Sequence, residues 1–195
     1  MLAAFTNVPT PRKRMHAIRR YHASRIFTGS QSVEPGILVV EGDRVSSIEV
    51  GGPSSADTSL GDVTLAPGLV DVHCHGGGGA AFAEDVVAAL TVHRACGTTT
   101  SMASLVTQGL DELAEQVGRL AVYVRRGELA GIHLEGPWLA PGKRGAHPLE
   151  RLRTPAKADV IRLLDVGAGA VRMVTLAPEL PEALDAIRMC VARGI

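Results

Sequence analysis

The sequence predicts an α/β fold, with a short β segment first and four strand-helix units after it. Three observations lead there. Residues 37–50, ILVVEGDRVSSIEV, read as a hairpin: an apolar strand, a Glu-Gly-Asp-Arg turn and a second, alternating strand. Residues 51–59 read as a Gly/Pro/Ser loop. Beyond it, strands at about 69–73, 98–105, 129–135 and 171–177 alternate with helices at about 84–95, 110–126, 156–165 and 181–193. Repeated units of this length imply right-handed crossovers and a parallel sheet, either open and doubly wound or closed into a barrel. Periodicity alone does not choose between them.

Ahead of the hairpin the chain is basic: Arg12, Lys13, Arg14, Arg19, Arg20 and Arg25 all precede the first acidic residue, Glu34. The apolar run Leu2 to Phe5 is too short for a secretory signal. Residues 1–20 are therefore expected to be a disordered leader with Met15 as the true start, ahead of the alternative of an organelle transit peptide. Over the whole chain, 20 basic and 20 acidic residues cancel, so charge gives no case for nucleic acid or an anionic membrane as partner. Aromatics at 3% argue against a base-stacking platform. No apolar run is long enough to span a bilayer. Cys74, Cys96 and Cys190 form no CxxC, which suits reduced thiols in the cytoplasm.

Two motifs carry chemistry. In LAPGLVDVHCHGGGG, residues 65–79, strand alternation puts His73 and His75 on one face and Cys74 on the other. Two neutral imidazoles on a rigid strand can grip one divalent ion, and the glycines are expected to leave room for a ligand beside it. Asp71 falls on the His73 face, deeper in the sheet, in a supporting role. In GIHLEGPWLAPGKRGAHP, residues 131–148, Glu135 ends a short strand that Gly136-Pro137 cuts off. A carboxylate there either coordinates a cation or pairs with Lys143 or Arg144. His133 shares the face of Glu135 and reads as a hydrogen-bonded core histidine before it reads as a ligand. His93 reads as structural within its helix, His16 and His22 as neighbours of the leader, and Glu179 as a loop residue.

With VTLAPE at 174–179, these motifs in this order resemble the N-acetylglucosamine-6-phosphate deacetylases of the amidohydrolase superfamily, from about Tyr21 to Ile195. The resemblance implies a partial (β/α)8 TIM-type barrel, about four of eight units, over residues 67–195, with residues 21–66 as part of a small β-sandwich domain. It implies Glu135 as principal metal ligand, His73 and His75 as ligands of a second ion, and Ala146 and His147 as sugar contacts. One or two divalent ions follow, zinc first, with iron, manganese or cobalt as alternatives. Other superfamily members bridge two metals with a carboxylated lysine after the fourth strand. VRMVTLAPE here has no lysine.

The implied reaction is metal-dependent hydrolysis of the acetamide of N-acetylglucosamine 6-phosphate to glucosamine 6-phosphate and acetate, by a cytoplasmic homodimer whose partner is a small phosphorylated sugar. The family's remaining metal histidines and its catalytic aspartate lie on later strands, so the catalytic aspartate is expected beyond Ile195 and the chain reads as the front half of an enzyme, inactive by itself. The alternatives are an amidohydrolase of another specificity and an inactive metal-binding or interaction module.

Overall fold

The computed structural model describes residues 17–55 and 57–195, which fall into two compact units divided after Pro67. Most of the expected leader, with Met15 and His16, lies outside the described residues. The leader's expected end is moved: strand β1 starts at Ile18, so Arg19 and Arg20 are structural, and His22 is a strand residue rather than a neighbour of a tail.

The first unit is all β. Its strands are β1 (Ile18–Ala23), β2 (Arg25–Phe27), β3 (Ser32–Val33), β4 (Gly36–Glu41), β5 (Arg44–Val50), β6 (Thr58–Ser59) and β7 (Thr64–Leu65). They make one sheet ordered β5-β4-β1-β6 and another ordered β3-β2-β7. The predicted hairpin is β4-β5, turning at Gly42, whose φ of 65° is the left-handed value such a turn asks of glycine. Ala23, Ile26, Ile37 and Val39 form its buried apolar set. A side chain at Gly36 would strike Ile26 at 2.7 Å, so glycine there lets β4 approach β2. Arg20 ties the ends of the unit together, with Nε 2.8 Å from Asp57 and Nη2 3.0 Å from Glu49.

In the second unit the alternation of strand and helix is as expected. Strand β8 (Leu69–Cys74) leads through a small hairpin, β9 (Gly76–Gly77) and β10 (Ala80–Ala81), to helix α1 (Val86–Ala95). Then come β11 (Thr98–Val106), α2 (Leu110–Arg125), β12 (Gly131–Glu135), α3 (Lys157–Gly167), β13 (Val171–Thr175) and α4 (Ala183–Ala192). The strands form one parallel sheet, β13-β12-β11-β8, in which every new strand is added on the same side. A doubly wound sheet would reverse direction partway, whereas a barrel adds strands in sequence order. The strand order is therefore that of a partial barrel.

Local sequence explains the helices. Asp85 caps α1, its carboxylate accepting from the Ala88 N–H at 3.0 Å, and His93 and Arg94 sit in the last turn, where the helix dipole favours positive charge. Helix α2 buries Leu113, Val117, Leu120 and Ala121, a stripe at 3.6-residue spacing, against the sheet. The core they share with Ile132, Leu134, Trp138, Val160 and Leu163 sits between sheet and helices. No helix of the described residues is long and apolar enough to cross a membrane.

Strand β8 departs from regular alternation. Asp71 pairs with Ser101, but the next matched pair is Cys74 with Ala103, so two residues of β8, Val72 and His73, stand against the single Met102. Such a bulge shifts the parity of everything before it.

Candidate metal centre

The candidate ligands come from the C-terminal ends of two strands of the parallel sheet, β8 and β12, with β11 between them. Barrels carry their chemistry at that end. His73 and His75 come from the end of β8, and Glu135 is the last residue of β12. Their donor atoms form a near-equilateral triangle: His73 Nε2 to His75 Nε2 3.3 Å, His73 Nε2 to Glu135 Oε2 3.3 Å, His75 Nε2 to Glu135 Oε2 3.1 Å. The histidine side chains are about half exposed and Glu135 is more enclosed, so the triangle opens to solvent on one side.

The spacing can be tested against a cation. Zinc bonds to nitrogen and oxygen are about 2.0–2.1 Å, and in a tetrahedral shell two such ligands stand about 3.3–3.4 Å apart. The observed edges match that separation closely. The tautomers agree as well. His75 Nδ1 lies 3.0 Å from the Ser104 carbonyl, which only accepts, so Nδ1 carries the proton and a neutral His75 turns the bare Nε2 lone pair toward Glu135. A lone pair facing a carboxylate oxygen at this distance calls for a proton or a cation between them. The donor set, two imidazoles and a carboxylate, is one that zinc and its first-row neighbours accept. The residues fit the group.

Beneath the triangle lies a buried polar network. His133, 1% exposed, places Nδ1 2.9 Å from Ser104 Oγ and Nε2 2.8 Å from Thr175 Oγ1, spanning β11, β12 and β13. Burial, then the neighbouring His73 ring, opposed by Glu135, with His75 adding to the first two, pushes its pKa down to about 4, so it is neutral at pH 7. Its ring stands edge-on to that of His73, centroids 4.9 Å apart. Ser104 is the hub, because its Oγ also accepts the Cys74 N–H at 3.1 Å while its carbonyl orients His75. Ser104 and Thr175 belong to neither of the two motifs that carry chemistry. The available signal was a hydroxyl residue inside an otherwise apolar strand end, MASLV, at residues 102–106.

The second motif also lands here. His147 is nearly enclosed, and its Nδ1 accepts from Thr107, with Oγ1 at 2.7 Å and the backbone N–H at 3.3 Å. That leaves Nε2–H free, 3.8 Å from Glu135 Oε1 and facing the centre. Ala146 is exposed on the same loop. Arg144 turns back to the Pro141 carbonyl at 2.8 Å, not toward Glu135. Gly136 has φ of 88°, and a side chain on it would strike Thr107 Oγ1 at 2.2 Å, so glycine there lets the chain leave β12 against the Thr107 strand end. Glu179 is an exposed turn residue.

Two expectations are corrected. The β8 bulge takes Asp71 off the His73 face and sets it beside Cys74 and His93 instead. The glycine run does not keep space open for a ligand. Added side chains would strike the Ala80 carbonyl at 2.1 Å from Gly76, His93 at 2.8 Å from Gly77 and Val92 at 2.6 Å from Gly78, so Gly77 and Gly78 admit α1 and Gly76 admits the β10 backbone.

No family model matches the chain. Among curated proteins, N-acetylglucosamine-6-phosphate deacetylase of Vibrio furnissii is 32% identical over 186 residues, 90% of this chain and 47% of that protein. N-acetylgalactosamine-6-phosphate deacetylase of Escherichia coli O157:H7 is 36% identical over 132 residues, 64% of this chain and 35% of that protein. Among solved structures, N-acetyl-D-glucosamine-6-phosphate deacetylase of Mycobacterium smegmatis superposes with a TM-score of 0.86 at 46% identity, over 91% of this chain and 48% of that one. The chain spans about half the length of the curated relatives it matches. In sequence and in fold, and over about nine tenths of its own length, the chain is similar to the N-acetylglucosamine-6-phosphate deacetylases of the amidohydrolase superfamily.

Proposed function

We propose that this chain supplies part of the metal centre and sugar-handling surface of a deacetylase that hydrolyses the acetamide of N-acetylglucosamine 6-phosphate to glucosamine 6-phosphate and acetate. The observation that carries the reading is the triangle of His73, His75 and Glu135, whose edges suit a divalent ion. These residues would hold the metal, zinc first by donor set. Bound there, a divalent ion supplies Lewis acidity toward an amide carbonyl and makes water nucleophilic near neutral pH.

The chain's own groups have definable parts in this. The Ser104 carbonyl holds His75 in one tautomer, and neutral His133 locks three strand ends so that Glu135 keeps its place. His147, its Nδ1 occupied by Thr107, offers one N–H to a bound hydroxyl or carbonyl oxygen. Ala146, small and exposed beside it, leaves room for a sugar ring. The proton-transfer aspartate that the resemblance implies is assigned to no residue of this chain. Cytoplasmic residence follows as part of the proposal, in keeping with three free cysteines.

The test uses the product of the entire reading frame that contains this chain. Glu135→Gln is expected to lose the tightly held ion and nearly all deacetylation of N-acetylglucosamine 6-phosphate. Full metal occupancy in Glu135→Gln would remove the assignment. Assaying the galactosamine epimer alongside separates the two specificities found among the relatives.

A further inference from the structure

On the opposite side of β8 from the triangle, a second set of donors converges. Asp71, Cys74 and His93 each place one ligand atom within 4.8 Å of the others. Cys74 Sγ lies 3.1 Å from His93 Nε2, and the Gly76 carbonyl oxygen lies 3.0 Å from that nitrogen and 3.3 Å from the sulfur. The set is built by features far apart in sequence. The bulge at Val72 and His73 brings Asp71 to the Cys74 side, and α1 delivers His93. Glycine at 77 lets the ring approach this segment, since a side chain there would strike His93 Nε2 at 2.8 Å. Phe82, fully buried, stacks on His93 with an interplanar angle of 18° and fixes its plane.

We propose that Asp71, Cys74 and His93, with the Gly76 carbonyl, form a second cation site, selective for a borderline divalent ion such as Zn(II). Carboxylate, thiolate and imidazole together match zinc's ligand chemistry, whereas magnesium and calcium prefer oxygen alone. Zinc bonds of about 2.3 Å to sulfur and about 2.0 Å to nitrogen and oxygen put tetrahedral neighbours about 3.3–3.5 Å apart, close to the separations among Cys74 Sγ, His93 Nε2 and the Gly76 oxygen. Asp71 forms no ion pair with lysine or arginine among the described residues. Its carboxylate accepts from the His73 N–H, at 3.1 Å, and from the Cys74 thiol. A part-buried carboxylate aimed at a thiol and an imidazole lacks a positive charge, and a cation supplies it. The Gly76 carbonyl only accepts, so without metal His93 carries its proton on Nε2. On binding, that proton passes to Nδ1 through solvent and the thiol proton leaves to solvent as the sulfur-metal bond forms, with no change of oxidation state. The site shares no ligand with the triangle and stands whether or not the deacetylase reading does.

Cobalt(II) is the probe, because thiolate ligation gives a near-ultraviolet charge-transfer band that a histidine-carboxylate site cannot produce. Titration of the unmodified protein is expected to give the band, with retention in Glu135→Gln and in Cys96→Ser and loss in Cys74→Ser. No band in the unmodified protein, or a band that survives Cys74→Ser, overturns the site. Should Cys74→Ser not fold, His93→Gln replaces it, with cobalt affinity expected to fall by about tenfold or more. An unchanged affinity in His93→Gln overturns the site equally. Loss of the band in Glu135→Gln would assign the thiolate to the triangle and overturn the proposal, without touching the metal content on which the deacetylase reading is judged.

Discussion

Replacing Ser104 by alanine tests the polar network at its hub. The side chain is 3% exposed and its Oγ serves two partners, the Cys74 N–H at 3.1 Å and His133 Nδ1 at 2.9 Å. Alanine removes one oxygen and leaves both partners without it, one of them on a fully buried ring. An unsatisfied buried polar group costs about 1–3 kcal/mol, so two together, allowing for relaxation around the part-buried amide, come to about 2–4 kcal/mol. For a chain of this size that corresponds to a fall in Tm of roughly 5–15 °C. Trp138, the sole tryptophan and fully buried in the same core, reports unfolding of this unit directly by fluorescence in urea. Metal content should change far less than stability, because His75 is oriented by the backbone carbonyl of residue 104, which alanine retains. A midpoint within about 0.5 kcal/mol of the parent would show that the network is not coupled as described. A Ser104→Ala, His133→Phe double-mutant cycle isolates the shared part, expected at about 1 kcal/mol or more of coupling.

Three further outcomes are expected. Gly76→Ala, with φ of 154° and the Ala80 carbonyl 2.1 Å from the new carbon, should destabilise the second unit much more than Gly79→Ala, which meets open space and carries only the left-handed strain of about 1 kcal/mol. Urea midpoints of the pair check this, and equal values would refute the packing role of the glycine run. In the first unit, the Ser54 backbone N–H and then Arg20 hold the Asp57 carboxyl below its ordinary range, Arg20 and then Ser47 do so for Glu49, and Arg25 does so for Glu34. The stability these groups contribute is present above the unfolded pKa of about 4 and is lost as pH falls through the lower folded values. The protection factors of β1 and β4 amides, taken relative to the intrinsic exchange rate at each pH, should therefore fall in acid, and Arg20→Met should flatten that dependence. His147→Asn in the entire protein should leave metal content unchanged and cost about ten- to a hundredfold in kcat/KM, the worth of one hydrogen bond to substrate. Unchanged kinetics would remove the sugar contact.

The β4-β5 hairpin and every strand-helix unit are legible in the sequence to within a few residues, because residues such as Ile132 and Leu134, or Leu113 and Val117, show their period directly. His73, His75 and Glu135 were legible for a related reason, since a polar residue at the end of an apolar strand stands out. The misplaced residues depended on contacts with no local signature. Asp71 went to the wrong face because a bulge is set by how β8 pairs with β11, and the His93 partners depend on how α1 crosses the glycine run. Likewise nothing local ties Thr107 to His147, 40 positions away, or His133 to Thr175, 42 positions away. The choice of barrel over open sheet lay in strand order, which periodicity does not encode.

The extra residue in β8 acts on phase. Upstream of it, odd and even positions have exchanged sides relative to the residues downstream, so a single strand sends a carboxylate one way and two imidazoles the other. Deleting Val72 would restore the pleat and carry Asp71 across the sheet, adding an acid to one group of donors and taking it from the other. A graft of the His-x-His motif onto a regular strand would therefore reproduce the histidines and still transplant a different electrostatic environment. The length of this strand, as much as its composition, is a chemical parameter.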